Sequence, residues 1–236
     1  MFIGIGVAVL IIAGVVAYTI LGPQRLPAPP INIAYRGETW TGFRPEVFDY
    51  TIEGDSLRLT LKTVARWAGN GQGGLVYRDV VGNFKATANV YARKGGDPNQ
   101  VVSTAVSLGG LSARDPNGTD RGGTEDYVHI VTGNTPSGIG VETKNNVNGV
   151  TAYEAVPGPS ADAGLRICRI GADFNLYKRP TDGGTWTLAA TYTRPDLPET
   201  LQVGANIYAV VPPDLQVRFE NLRIEPVVDK ADCERD

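Results

Sequence analysis

The chain has 236 residues, with 22 Lys and Arg against 25 Asp and Glu, a net charge of −3 and one histidine. Its pI is near 5.3, acids and bases are interspersed, and the lack of a basic stripe excludes nucleic acid as a partner recognised by charge. Two cysteines, Cys168 and Cys233, and the single His129 are too few for a disulfide framework or a zinc site, so no cofactor is expected.

Phe2 to Leu21 reads FIGIGVAVLIIAGVVAYTIL without a charge. A helix of that length, rising about 1.5 Å per residue, spans the roughly 30 Å hydrocarbon core of a bilayer. Residues 1–22 are therefore read as a single-pass anchor. Val15-Val16-Ala17 resembles a signal-peptide cleavage site, but a signal peptide carries a positive n-region and a shorter apolar run, and only Met1 precedes the stretch. Gly4 with Ala8, and Ala13 with Ala17, make small-xxx-small pairs that allow a second helix to pack closely, although small residues occur in any span. Arg25 and Arg36 follow the run and no base precedes it, which favours a cytoplasmic domain by the positive-inside rule.

Residues 22–31, GPQRLPAPPI, carry Pro23, Pro27, Pro29 and Pro30. Proline fixes φ and removes a donor, so a semi-rigid spacer of ~3.1 Å per residue is expected, with the linker placed at 23–37. The rest divides into one domain over 38–226 and a tail over 227–236. Within the domain the pattern has period two. Phe48, Tyr50 and Ile52 alternate with polar residues up to the turn Glu53-Gly54-Asp55, and Leu57, Leu59 and Leu61 alternate after it, which predicts a hairpin. Phe84, Ala86, Ala88 and Val90 repeat the pattern. Further strands are predicted near 102–113, 126–132, 139–143, 149–155, 165–170, 174–178, 185–192, 201–209 and 216–224. In the last, Val217 and Phe219 share one parity and Leu222 and Ile224 the other, so a bulge is expected near Glu220-Asn221. Many short strands between Gly- and Pro-rich turns, with no helical periodicity, predict an all-β, two-sheet antiparallel sandwich.

The stretch Leu165 to Thr187, LRICRIGADFNLYKRPTDGGTWT, resembles concanavalin A-like sandwiches: a strand, a Gly turn, an aromatic strand, then Asp-Gly and a Trp. Gly74 to Asp79 with Gly82-Asn83-Phe84 resembles the paired early strands of that lectin/glucanase superfamily, Leu111 to Pro116 its next strand, and Val217 to Ile224 its closing strand. The resemblance is nearest to the superfamily's bacterial branch that is known as a domain of unknown function. It implies a jelly-roll fold over about 38–226 and a bacterial inner-membrane protein with its domain on the periplasmic side, against the charge rule. Fold alone does not imply activity. Gly171 and Asp182-Gly183-Gly184 also have a local explanation, since tight turns demand positive φ, and Trp186 is expected to start a strand and bury its ring against a neighbouring sheet face.

Glycosidases of this fold use two carboxylates, and the glucanase branch sets its acids on one strand as Glu-x-Asp-x-x-Glu. No such triplet exists: Glu142 has no acid two residues on, Glu154 stands alone, and Glu125-Asp126 point to opposite faces of a strand. No serine or cysteine has a nucleophile motif, and His129 reads as a satisfied histidine rather than a base. Asp115, Asn117 and Asp120 offer hard oxygens to Ca²⁺ in a Gly-rich loop but also spell an ordinary turn, and the turn is the reading adopted. A Cys168–Cys233 bridge would pin the tail, but the expectation is a buried inert Cys168 and a free Cys233. The first functional expectation is a non-catalytic, membrane-anchored accessory subunit that braces a larger respiratory, photosynthetic or transport complex. The alternative is a tethered carbohydrate-binding module with Trp40, Trp67, Tyr127 and Tyr153 as platforms for sugar rings, and a glycoside hydrolase-like enzyme comes third.

Overall fold

A computed structural model describes residues 28–211 and 213–236. The anchor expected over 1–22, with Gly4, Ala8, Ala13 and Ala17, lies outside them. No helix among the described residues is long and apolar enough to cross a membrane.

The strands are β1 (Ile31–Tyr35), β2 (Glu38–Phe43), β3 (Phe48–Glu53), β4 (Ser56–Leu61), β5 (Gly74–Val81), β6 (Phe84–Arg93), β7 (Ser107–Arg114), β8 (Tyr127–Thr135), β9 (Gly138–Val147), β10 (Val150–Pro157), β11 (Asp162–Ile170), β12 (Asp173–Arg179), β13 (Thr187–Thr193), β14 (Thr200–Ala209) and β15 (Gln216–Pro226). They form an 8-stranded sheet, β1-β2-β5-β14-β7-β8-β9-β10, and a 7-stranded sheet, β13-β12-β11-β6-β15-β4-β3. Every pairing is antiparallel.

The alternating residues supply the inner faces of the sandwich. Leu57, Leu59, Val90, Leu165, Ile167, Phe174, Val217 and Phe219 of one sheet meet Val76, Leu111, Val128, Ile130, Val203 and Ile207 of the other in a single core. Trp40 lies in this core with Tyr35, its ring centroid 5.9 Å away. The expected bulge is present: the register shifts between Glu220 and Arg223, and Asn221 takes φ 53°. Leu222 thereby joins the core that Val217 and Phe219 occupy.

Three expectations change. The spacer is shorter than 23–37, because Ile33 and Tyr35 alternate inward from β1 and are buried on β2 and its neighbours. The strand predicted from 102 begins at Ser107, and Val102 is buried from a loop instead. The tail is neither loose nor free: a short helix, α1 (Lys230–Glu234), starts on a capping box made by Asp229 and Asp232. It sets Cys233 against Cys168 on the outer face of the 7-stranded sheet, and the two form a disulfide with Cα atoms 5.6 Å apart. The reading of two free thiols is corrected; pairing follows from the docking of α1, which sequence spacing does not show.

A strap over the outer face of the eight-stranded sheet

Each outer-facing residue of the 8-stranded sheet is fixed by register. Ser112 of β7 lies opposite His129 of β8, which lies opposite Lys144 of β9 and then Tyr153 of β10. One step along, Arg114 lies opposite Tyr127, and Tyr127 opposite Asn146. From β14, Asn206 and Tyr208 stand on the same side, opposite Gly110 and Leu108. An antiparallel sheet with one core face ordinarily leaves the other to water. Here Ser112, His129, Glu142, Lys144, Asn146, Asn206 and Tyr208 are all buried.

They are covered by residues 62–73, a strap between β4 and β5. Trp67 sits at its centre, fully buried, edge-on to His129 at 5.2 Å and to Tyr127 at 5.4 Å, and stacked on Phe43 at 6.5 Å. Polar contacts fasten the strap to the sheet. Lys144 Nζ donates to the Trp67 carbonyl at 2.9 Å, Asn146 Nδ2 to the Gly69 carbonyl at 3.0 Å, and the Gly69 N–H to Thr151 Oγ1 at 2.7 Å. The Glu125 N–H donates to Asn70 Oδ1 at 3.1 Å, and Gln72 Nε2 to Glu125 Oε1 at 2.6 Å. Glycine is required at Gly69, which takes φ 58°, and at Gly73, where a Cβ would collide with Trp67 Nε1.

The buried charges are paired. Arg114 holds Glu125 through Nε at 2.8 Å and Nη2 at 2.9 Å, and also binds Asp120. Burial opposes ionisation of this pair, but hydrogen bonds from Arg114, Gln72 and Thr119 override it and keep the Glu125 carboxyl below the usual range. Glu142 accepts from Tyr208 at 2.8 Å and lies 3.1 Å from Lys144 Nζ. Burial lowers the Lys144 ammonium against the pull of Glu142, and burial, then Glu142, pushes the Tyr208 phenol well up.

Beside these satisfied groups is a set with no partner among the described residues: both ring nitrogens of His129, both amide atoms of Asn206, Ser112 Oγ and Trp67 Nε1. Buried polar atoms are nearly always hydrogen-bonded, and each orphan costs about 1–3 kcal/mol. Burial first, then the cations Lys144 and Arg114, drives the His129 pKa well below 6.5. The ring is therefore neutral, with one nitrogen to donate and one to accept. The histidine expected at the surface or in the core is a buried one.

Of the expected platforms, Trp67, Tyr127 and Tyr153 share this face, and Trp40 belongs to the core. Trp67 and Tyr127 are buried, whereas Tyr153 on edge strand β10 is 56% exposed. Asp115, Asn117 and Asp120 do not converge. Asp115 Oδ1 caps the Asn117 N–H at 2.8 Å as in a turn, and Asp120 turns to Arg114 and Gln72. Among the described residues no cluster of acids, His and Cys is set to hold a metal. Trp186 precedes β13, and its half-buried ring packs on the outer face of the 7-stranded sheet, against Cys168, Tyr177 and Cys233 and beside the guanidinium groups of Arg166 and Arg179. Sequence reading missed Ser112, Asn206 and Lys144 because polar residues at alternate positions look like a solvated face. The available signal was Trp67, two residues before the Gly-rich run Gly69 to Gly74 and six residues after the end of a strand at Leu61.

No family model matches the chain, and no curated protein matches it in sequence. Solved structures do match in fold. A functionally unknown protein from Saccharomyces cerevisiae aligns at a TM-score of 0.63 with 14% identity, over 77% of this chain and 93% of that one. A xylan beta-1,4-xylosidase from Bacillus halodurans C-125 aligns at 0.60 with 14% identity, over 86% of this chain but 39% of the enzyme. Lectin I-B4 from Griffonia simplicifolia aligns at 0.52 with 14% identity, over 77% of this chain and 92% of the lectin. The fold is the concanavalin A-like sandwich.

Proposed function

We propose that the chain is a carbohydrate-binding module whose site is the outer face of the 8-stranded sheet beneath Trp67. The observation that carries this reading is the orphaned set of His129, Asn206, Ser112 and Trp67 Nε1 beside the rings of Tyr127 and Trp67. Donors and acceptors of both kinds next to aromatic faces suit a polyhydroxylated ring, which presents hydroxyls at its rim and C–H groups on its faces. Trp67 is closed over the site, so binding requires the strap to lift at Gly69, Gly71 and Gly73. The lectin and xylosidase likenesses agree with this reading at the level of fold. The buried acids Glu125 and Glu142 are both ion-paired, and we take the site to bind without cleaving.

The disulfide favours an oxidising, extracytoplasmic compartment, with the uncharged run 2–21 as the tether in a bacterial inner membrane. The test is calorimetric titration of the detergent-solubilised chain with gluco-, manno- and xylo-oligosaccharides and peptidoglycan fragments. At least one series should bind, with affinity about tenfold weaker in Asn206→Ala, or about 1.4 kcal/mol. Absence of heat with every saccharide overturns the proposal. A second reading, an accessory subunit of a membrane complex, is favoured by Val150, Tyr153 and Val156, exposed along edge strand β10. Mild-detergent purification that returns stoichiometric partners would support it.

A further inference from the structure

The outer face of the 7-stranded sheet is lined with bases. Arg223 of β15 lies opposite Thr87 of β6, Thr87 opposite Arg166 of β11, and Lys85 of β6 opposite Cys168. Arg179 of β12 lies opposite Gly164, two residues before Arg166 and on the same face. These four adjacent strands thus bring like charges together under one cover, the segment 227–236. Glu225 neutralises Arg223 at 3.1 Å and lies 3.8 Å from Lys85.

Arg166 and Arg179 are held differently. Their guanidinium carbons lie 4.0 and 4.2 Å from the centroid of the Trp186 ring. Asp236 Oδ1 accepts from Arg179 Nη1 at 2.7 Å and from Trp186 Nε1 at 2.9 Å, and lies 3.6 Å from Arg166 Nη2. The Arg166 side chain is wholly buried, and among the described residues its Nη2 has no hydrogen-bond partner, although it faces this carboxylate. Burial outweighs the attraction of Asp236 and, with Arg179 and Arg223, lowers the Arg166 pKa to about 10.

We infer that Arg166, Trp186 and Arg179 form a carboxylate-binding cradle, that Asp236 occupies it in cis, and that its ligand is an acidic peptide segment of a partner protein. The rest of the surface argues for a peptide. Lys85 Nζ donates to the carbonyls of Asp232 at 3.3 Å and Arg235 at 3.0 Å, and Arg166 Nη1 donates to that of Cys233. The tail thus lies on this face as a bound acidic peptide would, with the carbonyls of Asp232, Cys233 and Arg235 held by Lys85 and Arg166 and a side-chain carboxylate in the cradle, and with the disulfide in place an outside peptide competes for the position of the Asp236 carboxylate alone. Arginine paired with a carboxylate beside an aromatic face also gives directional, charge-assisted bonds. The Asp236 side chain is 68% exposed, so it can exchange with solvent. Its tether gives it an effective concentration of about millimolar, which an outside ligand must exceed.

Removal of the internal competitor tests this without touching the disulfide. A fluorescent peptide Ser-Glu-Arg-Asp, matching residues 233–236 with serine for cysteine, is titrated by anisotropy against the detergent-solubilised chain. Asp236→Ala should bind it at least threefold more tightly than the unaltered chain, and Arg179→Ala added to Asp236→Ala should remove the gain. A gain below threefold, or one that survives Arg179→Ala, overturns the inference.

Discussion

Asn206 and His129 are the residues that distinguish the strapped polar face from a second core. Neither has a partner for its polar atoms among the described residues, so each makes the folded state less stable than an apolar residue of similar shape would. Asn206→Leu is expected to raise the unfolding free energy by about 1 kcal/mol or more while saccharide binding is lost. A fall in stability measured by urea denaturation would mean that the amide already has partners and the face is structural. His129 gives a second signature, because it is the only histidine. Its folded pKa lies well below the reference 6.5, so below pH 6.5 the unfolded chain takes up a proton that the folded chain refuses. Stability should therefore fall as the pH drops from 6.5 toward the depressed folded value, by up to about 1.4 kcal/mol per pH unit. His129→Phe should flatten that slope, and equal slopes in both chains would show that the ring is not held neutral.

The strap and the tail are elements whose conformation depends on single positions. Gly73→Ala forces a Cβ onto the Trp67 indole, and overpacking of this kind costs about 1–3 kcal/mol. The expected result is a lowered unfolding midpoint with a red-shifted tryptophan emission; unchanged emission would show that Trp67 is not pinned by this contact. The Cys168–Cys233 bridge closes a separation of 65 residues, and chain entropy assigns such a loop about 4 kcal/mol. Reduction should lower stability by about that order and deprotect the α1 amides first in hydrogen exchange, whereas uniform deprotection would contradict a locally docked tail. Strands with clean alternation, such as Leu57 to Leu61 or Val217 to Phe219, were legible, and so was the bulge that their parity required. β1 escaped because its five residues adjoin the proline run. The bridge escaped because Cys233 is brought to Cys168 by tertiary docking and not by any local pattern.

At the scale of the molecule, one sandwich places three environments side by side: an apolar interior, a strapped polar face on the 8-stranded sheet, and a basic face under the tail on the other. The interior was readable from period two alone. The polar face was not, because alternation gives the side on which Ser112, His129, Lys144 and Asn206 stand but not whether a segment 62–73 folds over them. Trp67, Tyr127 and Tyr153 stand on one face of the 8-stranded sheet, while Trp40 shows that an aromatic at strand spacing is as readily core. The whole account rests on the claim that the atoms orphaned beneath Trp67 are partners for a sugar. A crystal soaked with the oligosaccharide that gives the strongest calorimetric signal tests it most directly. The account predicts a sugar ring between the strap and the sheet, with hydroxyls bonded to Asn206, His129 and Ser112 and Trp67 displaced from its closed position. A closed Trp67 with ordered water bonded to each of those atoms, and the saccharide bound elsewhere or not at all, would contradict it.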